Sequence, residues 1–230
     1  MFHLEPPPPP PPESAWTFVK DLQKPMWTSH PWRRKKARQG ETSLAAGVTF
    51  DMPFPDPEGL LETAYHDLQA FLQAGSVPLD GTFRIVTGHN EDLPKEAYRV
   101  RTLKTECRIE AADTEGIRRA IFHVEDEMLR REGPFLPLGT VEREPVIRTR
   151  LSRCFFGPIK RPPRNRDELT DDVDYYPDHY LNRLAHEGVN GLWLTVAWKD
   201  LCRTNVFPEC GSDADRRLEK LRRTVQKCRR

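Results

Sequence analysis

The sequence predicts a small α+β domain followed by a truncated α/β segment, behind a disordered, proline-rich N-terminus. Three observations carry that prediction. Residues 6–12 are seven consecutive prolines, which favour a solvated polyproline II rod over a packed element. Between 83 and 130, short runs of alternating polarity lead into one amphipathic helical stretch. After Gly133 the pattern changes to strand, helix, strand, helix, the signature of parallel strands joined by crossover helices.

The elements follow in order. Residues 1–47 read as a tail, with the basic cluster Arg33 to Lys36, flanked by Trp27 and Trp32, as a solvated linker, a contact to nucleic acid phosphates or an acidic surface being the alternative. Order is expected from Val48. Residues 56–75 form a helix whose Leu60, Leu61, Ala64, Tyr65, Leu68, Phe71 and Leu72 share one face. Asp56 is its expected N-cap, Pro57 its first residue and Gly75 its stop. "GTFRIVTG", "EAYRVRTL" and "ECRIEA" read as strands. The last two meet around Lys104 and are expected to pair as a hairpin. A helix begins at Asp113 or Thr114, buries Ile117, Ala120, Ile121, Val124, Met128 and Leu129, and ends at Gly133. His66 and His123 stand alone on the two helices and are assigned no chemistry. "PFLPLGTVEREP" reads as a connector. Beyond it are a strand at 147–156, a helix at 177–187, a strand at 190–198 and a helix at 213–228. "NGLWLTVAW" is nearly all apolar, as a strand buried on both faces is. The expected domains are therefore 1–47, 48–140 and 141–230.

Composition narrows the function. The chain has 230 residues, with 36 basic against 35 acidic side chains and a net charge of +1, so no whole-chain field favours nucleic acid or a membrane. No apolar run approaches the roughly 18 residues of a membrane span. The N-terminus lacks the basic start and apolar core of a signal peptide, which makes the cytoplasm the default expectation. Five cysteines form no C-x-x-C pair. They read as reduced thiols, with a Cys202–Cys210 bridge as the alternative. No metal or cofactor is implied. The acidic run "DELTDD", residues 167–172, reads as a solvated loop.

One stretch stands out. "VIRTRLSRCFFGP", residues 146–158, places Arg148, Arg150 and Arg153 on a strand that ends in an apolar Cys154-Phe155-Phe156. A guanidinium there needs an anionic or hydroxyl-rich partner. Upstream, Glu96-Ala97-Tyr98-Arg99-Val100, Ile109-Glu110-Ala111-Ala112-Asp113 and Gly116 follow the hairpin-then-helix pattern of the accessory domain in β-N-acetylhexosaminidases of glycoside hydrolase family 20. The region resembles that domain, and the related domain of α-glucuronidases. Ser152-Arg153-Cys154-Phe155-Phe156 is similar to the family's Ser-Arg-His-Phe-Phe at its entry into a (β/α)8 barrel. The resemblance implies a TIM-barrel-like segment made of the first two βα units. It also implies a glycosidase acting on a carbohydrate, and a sugar-binding Arg153 at the end of the first barrel strand. Trp198 and Asp200, near the end of the second strand, are the further candidate sugar contacts. Arg148 and Arg150 are expected to face outward or to bridge the domains. The sequence departs from the family pattern at Arg150 and Cys154. It also lacks the polar residues of the family's second strand at 193–198. The family's catalytic Asp-Glu pair follows its fourth barrel strand, so the resemblance implies no catalytic residue within 1–230 and an inactive isolated chain. A different class of reading is a non-catalytic interaction protein whose polyproline tail binds an SH3- or WW-type groove.

Overall fold

The computed structural model describes residues 18–161 and 164–230. The polyproline run lies outside the described residues. In chain order the elements are α1 (Phe18–Leu22), β1 (Glu41–Ser43), β2 (Val48–Asp51), α2 (Glu62–Ala74), β3 (Phe83–His89), β4 (Tyr98–Thr102), β5 (Glu106–Ala111) and α3 (Thr114–Arg130). They continue with β6 (Phe135–Pro137), β7 (Gly139–Arg143), β8 (Leu151–Arg153), β9 (Pro158–Arg161), β10 (Arg164–Asp167), α4 (Asp178–His186), β11 (Gly191–Trp193), α5 (Trp198–Leu201) and α6 (Ala214–Arg229). The described residues divide into two compact units, one of residues 26–148 and one of residues 149–229 together with residues 18–25. No described helix is long and apolar enough to cross a membrane.

The 26–148 unit is a five-stranded mixed sheet in the order β2-β3-β5-β4-β7. β2, β3 and β5 run parallel, while β4 is antiparallel to both β5 and β7. The expected hairpin forms, with Val100 opposite Ile109. Alternation sorts the two faces. Tyr98, Val100 and Thr102 of β4 and Cys107, Ile109 and Ala111 of β5 are buried. Ile117, Ala120, Ile121, Val124 and Met128 of α3 and Leu68, Phe71 and Leu72 of α2 are buried as well. Leu129, expected in the stripe, is 37% exposed. The other face of the sheet carries charges in register. Arg84 bonds Glu106 at 2.8 Å and Asp51 at 3.0 Å, and Arg99 bonds Glu142 at 2.9 Å.

Local chemistry sets the helix starts. Asp113 caps α3 by accepting the Gly116 N–H at 2.7 Å, while its other oxygen accepts the Glu96 N–H at 2.9 Å. A Cβ at Gly116 would stand 2.4 Å from the Ala97 carbonyl oxygen. The motif's glycine is thus required by close packing of the helix start on the residue that leads into β4. Asp56 does not cap α2. It accepts the Leu60 and Leu61 N–H groups of a preceding turn, and α2 begins at Glu62.

The tail was expected to run to residue 47, yet residues 26–47 belong to the folded unit. Leu44 is fully buried, β1 pairs with β6, and Trp27, His30 and Trp32 pack on Phe71 with ring centroids 4.8, 4.7 and 5.9 Å away. Arg34, from the basic cluster, pairs with Glu41 at 2.7 Å and lies 4.9 Å from the centre of the Phe135 ring. The segment read as a connector supplies β6 and β7. β6 has only three residues, too few for alternation to register, and β7 buries no residue fully, so it has no apolar alternation to read.

The 149–229 unit is built on two parallel strands, β8 and β11, with α4 in the crossover between them. Each strand has three residues, far fewer than the 147–156 and 190–198 expected. Val146 and Ile147 are 98% and 66% exposed, and α5 begins at Trp198. β11 is not buried on both faces, since Trp193 is 61% exposed. Among the described residues β8 and β11 pair only with each other, which leaves little to extend or cover them. An antiparallel β9–β10 hairpin, absent from the sequence reading, follows β8.

Candidate functional site

The candidate site lies at the C-terminal ends of β8 and β11. Parallel pairing puts Ser152 beside Leu192 and Arg153 beside Trp193. The Cys154 N–H continues the ladder to the Trp193 carbonyl at 2.9 Å, and the Cys154 Sγ lies 3.4 Å from the Thr195 Oγ1. Arg153 is exposed, and its guanidinium carbon lies 5.9 Å from the centre of the Trp193 ring, within cation–π range. Arg153 is the last residue of β8. Its described partner is the indole of Trp193, not that of Trp198. Trp198 and Asp200 lie together on α5, Trp198 at 75% exposure and Asp200 half-buried. Two exposed indoles and an exposed guanidinium offer flat apolar faces and a rigid fork of N–H donors. An indole face can stack on the C–H face of a ring, and a guanidinium can donate to vicinal hydroxyls. Trp193 escaped the sequence reading because it sits in an apolar run that reads as core.

Arg150 marks the opposite end of β8. Its Nε donates to the Gly188 carbonyl at 2.6 Å. Its main chain exchanges two bonds with Asn190: the Arg150 N–H to the Asn190 Oδ1, and the Asn190 N–H to the Arg150 carbonyl, both at 2.9 Å. The side chain ties the α4–β11 turn to the strand start, where it was expected to face outward or to bridge the domains.

Behind the site lies a polar layer that the sequence reading missed. "DELTDD" is not a solvated loop, for Asp167 and Glu168 are 5% and 6% exposed. Glu168 Oε1 accepts the Phe156 N–H, and the Gly157 N–H at 3.1 Å, while Oε2 accepts the Tyr176 hydroxyl at 2.8 Å. Burial, and then the adjacent Glu168 carboxylate, push the Tyr176 phenol well above its ordinary value. Asp167 pairs with Arg217 at 2.5 Å, with both side chains under a tenth exposed. The Tyr175 hydroxyl donates to Asp171 at 2.8 Å, and Lys220 donates to the Val173 carbonyl at 2.9 Å. Lys227 reaches Asp174 at 2.6 Å. α6 is thus seated largely through its basic residues on the acidic loop. The expected apolar face contributes less, since Val225 is 49% exposed. Phe155 closes the layer against Phe18, Tyr176 and Tyr180 at 5.4, 5.7 and 5.4 Å. The loop after β8, which follows Arg153 directly, is therefore anchored from below by a buried carboxylate and an aromatic cluster.

No family profile and no curated protein sequence matches the chain. Solved structures do. A GH138 enzyme targeting pectin rhamnogalacturonan II aligns with a TM-score of 0.62 and 15% identity, over 79% of this chain and 23% of that one. Flavobacterium johnsoniae chitobiase, a GH20 structure, aligns with a TM-score of 0.53 and 14% identity, over 86% of this chain and 32% of the other. This chain has a fold found in glycoside hydrolases. It spans about a quarter to a third of the length of these two proteins.

Proposed function

We propose that this chain is the accessory-domain and barrel-entry portion of a glycoside-hydrolase-like protein acting on glycosidic bonds. In this reading residues 26–148 are the accessory α+β domain, and β8–α4–β11 with α5 and α6 are the first βα units of a (β/α)8 barrel. The observation that carries it is the placement of Arg153 at the C-terminal end of a parallel strand, over an exposed indole. Barrel enzymes gather their functional side chains at that end of the strands. Arg153 donates to sugar hydroxyls, Trp193 and Trp198 stack on the ring, and Asp200 accepts from a hydroxyl.

Hydrolysis also needs a general acid and a second carboxylate or its equivalent. The adjacent Asp167 and Glu168 do not fill that role, because they are buried and bound to Arg217, Tyr176 and main-chain N–H groups. In this reading the chain by itself binds sugar without cleaving it. Titration of the full chain with chito-oligosaccharides, read by tryptophan fluorescence, tests the binding. Saturable quenching that weakens in Arg153→Ala and Trp198→Ala is expected. An aryl N-acetylglucosaminide assay tests the second half, and turnover abolished by one point mutation in this chain would overturn it.

A further inference from the structure

The segment between α5 and α6 begins and ends on cysteines, Cys202 and Cys210. Its two ends meet on the same four-residue helix. The Cys202 N–H donates to the Trp198 carbonyl at 2.9 Å, and the Gly211 N–H donates to the next carbonyl, that of Lys199, at 2.7 Å. In a continuing α-helix the Lys199 carbonyl would accept from residue 203. Gly211 thus takes the place of Cys202's own successor at the Lys199 carbonyl, which sets the Cys210–Gly211 segment against the Cys202 main chain. The contact is tight. A Cβ at Gly211, where φ is +70°, would stand 2.6 Å from the Cys202 carbonyl oxygen and 2.7 Å from its carbonyl carbon. The Gly211 α-carbon is one bond from that point, and the Cys210 α-carbon is about 3.8 Å further. Even a fully extended path keeps the two cysteine α-carbons within about 10 Å, and a disulfide needs about 4.4–6.8 Å. The loop between them is held only by short-range turn bonds, the Cys210 N–H to the Phe207 carbonyl at 2.9 Å and the Val206 N–H to the Thr204 Oγ1 at 3.2 Å, so it can close the difference by moving as a unit. Val206 and Phe207 are 75% and 58% exposed, so neither anchors it, and the Arg203–Asp215 ion pair across it is exposed. Both thiols are accessible, Cys202 being exposed and Cys210 half-buried. By contrast Cys107 is fully buried, its thiol pushed up to about 12 by burial, and serves as an internal inert control.

We propose that Cys202 and Cys210 form a reversible disulfide with a low-molecular-weight disulfide such as oxidised glutathione as the oxidant. The more exposed Cys202 thiolate attacks one sulfur of glutathione disulfide, whose S–S bond breaks to release one glutathione thiolate. The Cys210 thiolate then attacks the Cys202 sulfur of the mixed disulfide and releases the second. Two protein thiols lose two electrons and two protons, and one glutathione disulfide becomes two glutathiones. The bond clamps α5 to the segment entering α6, and so fixes Trp198 and Asp200. That consequence rests on the sugar-site reading, whereas the bond itself does not.

Arg203 makes the test direct, because trypsin cleaves between the two cysteines. The full chain is equilibrated in glutathione buffers from reducing to oxidising, quenched in acid, alkylated and digested. The expected result is a peptide pair, residues 200–203 joined to residues 204–216, that appears in oxidising buffer and disappears in reducing buffer, while Cys107 stays a thiol. In Cys202→Ser, Cys210 is expected as a glutathione adduct. Recovery of both wild-type peptides as thiols or separate glutathione adducts in oxidising buffer would overturn the bond. Joined peptides with unchanged amide exchange at 198–201 would overturn the clamp alone.

Discussion

Glu168 is the buried carboxylate on which the loop after β8 depends, and its removal has a calculable cost. Glu168→Ala leaves the Phe156 and Gly157 N–H groups and the Tyr176 hydroxyl without their acceptor. A hydrogen bond to a charged group is worth about 1.5–3 kcal/mol. Three such bonds bound the loss near 9 kcal/mol, and water entering the space left by the side chain restores part of it. A net loss of about 3–5 kcal/mol is expected. Glu168→Gln keeps one acceptor oxygen and is expected to cost about 1–2 kcal/mol, and Tyr176→Phe about the same. With two units in the chain a single denaturation midpoint would mix their responses. Site-resolved amide exchange avoids this. Phe156 and Gly157 are expected to exchange slowly in the wild type and fast in Glu168→Ala, with β3–β5 unaffected. Unchanged protection at 156 and 157 in the alanine variant would refute the anchoring role.

Breaking the buried Arg217–Asp167 pair by Asp167→Asn or Arg217→Met alone is expected to cost about 3–5 kcal/mol, while replacing both costs less, because a lone buried charge is worse than none. Urea denaturation of the single and double variants, followed by exchange in α6, checks the order. Gly116→Ala, a favourable change in an open helix, is expected to destabilise, because its Cβ meets the Ala97 carbonyl oxygen at 2.4 Å, and thermal denaturation gives the sign. His30 stacks on Phe71, and neither of its buried ring nitrogens has a hydrogen-bond partner among the described residues. Burial lowers its pKa from the ordinary 6.5. The unfolded chain therefore binds the proton more readily, so this contribution is complete above about pH 6.5 and is lost as pH falls toward the lower folded value. His30→Phe, whose ring forfeits no hydrogen bond, is expected to flatten the decline of melting temperature between pH 7 and pH 5. An unchanged slope would remove the assignment.

The elements legible in the sequence are those where one periodicity dominates. β4 and β5 alternate strictly because one face is core and the other is an ion-pair lattice, and α3 announces itself through the Asp113 cap and its stripe. What escaped depended on partners distant in sequence. The 26–47 segment is polar and basic overall. Its order comes from three rings on Phe71 and from Leu44, not from a period. "DELTDD" reads as solvated because its partners, Arg217 and Lys220, lie some fifty residues on. The 147–156 and 190–198 runs have strand composition, but strand length depends on neighbours, and the two strands have only each other among the described residues. In the site, the position of Arg153 followed from the Ser-Arg-x-Phe-Phe match. Its indole partner did not, because an exposed tryptophan in an apolar run has no local mark.

The proposed function rests on a sugar platform at the ends of β8 and β11. The most direct measurement is a nuclear magnetic resonance titration of the full chain with chito-oligosaccharide, following the indole N–H signals. Saturable shifts of Trp193 and Trp198 together with the Arg153 side chain are expected, with Trp27 and Trp32 unmoved. Shifts confined to Trp27 and Trp32, or no shift of any indole at saturating sugar, would contradict it.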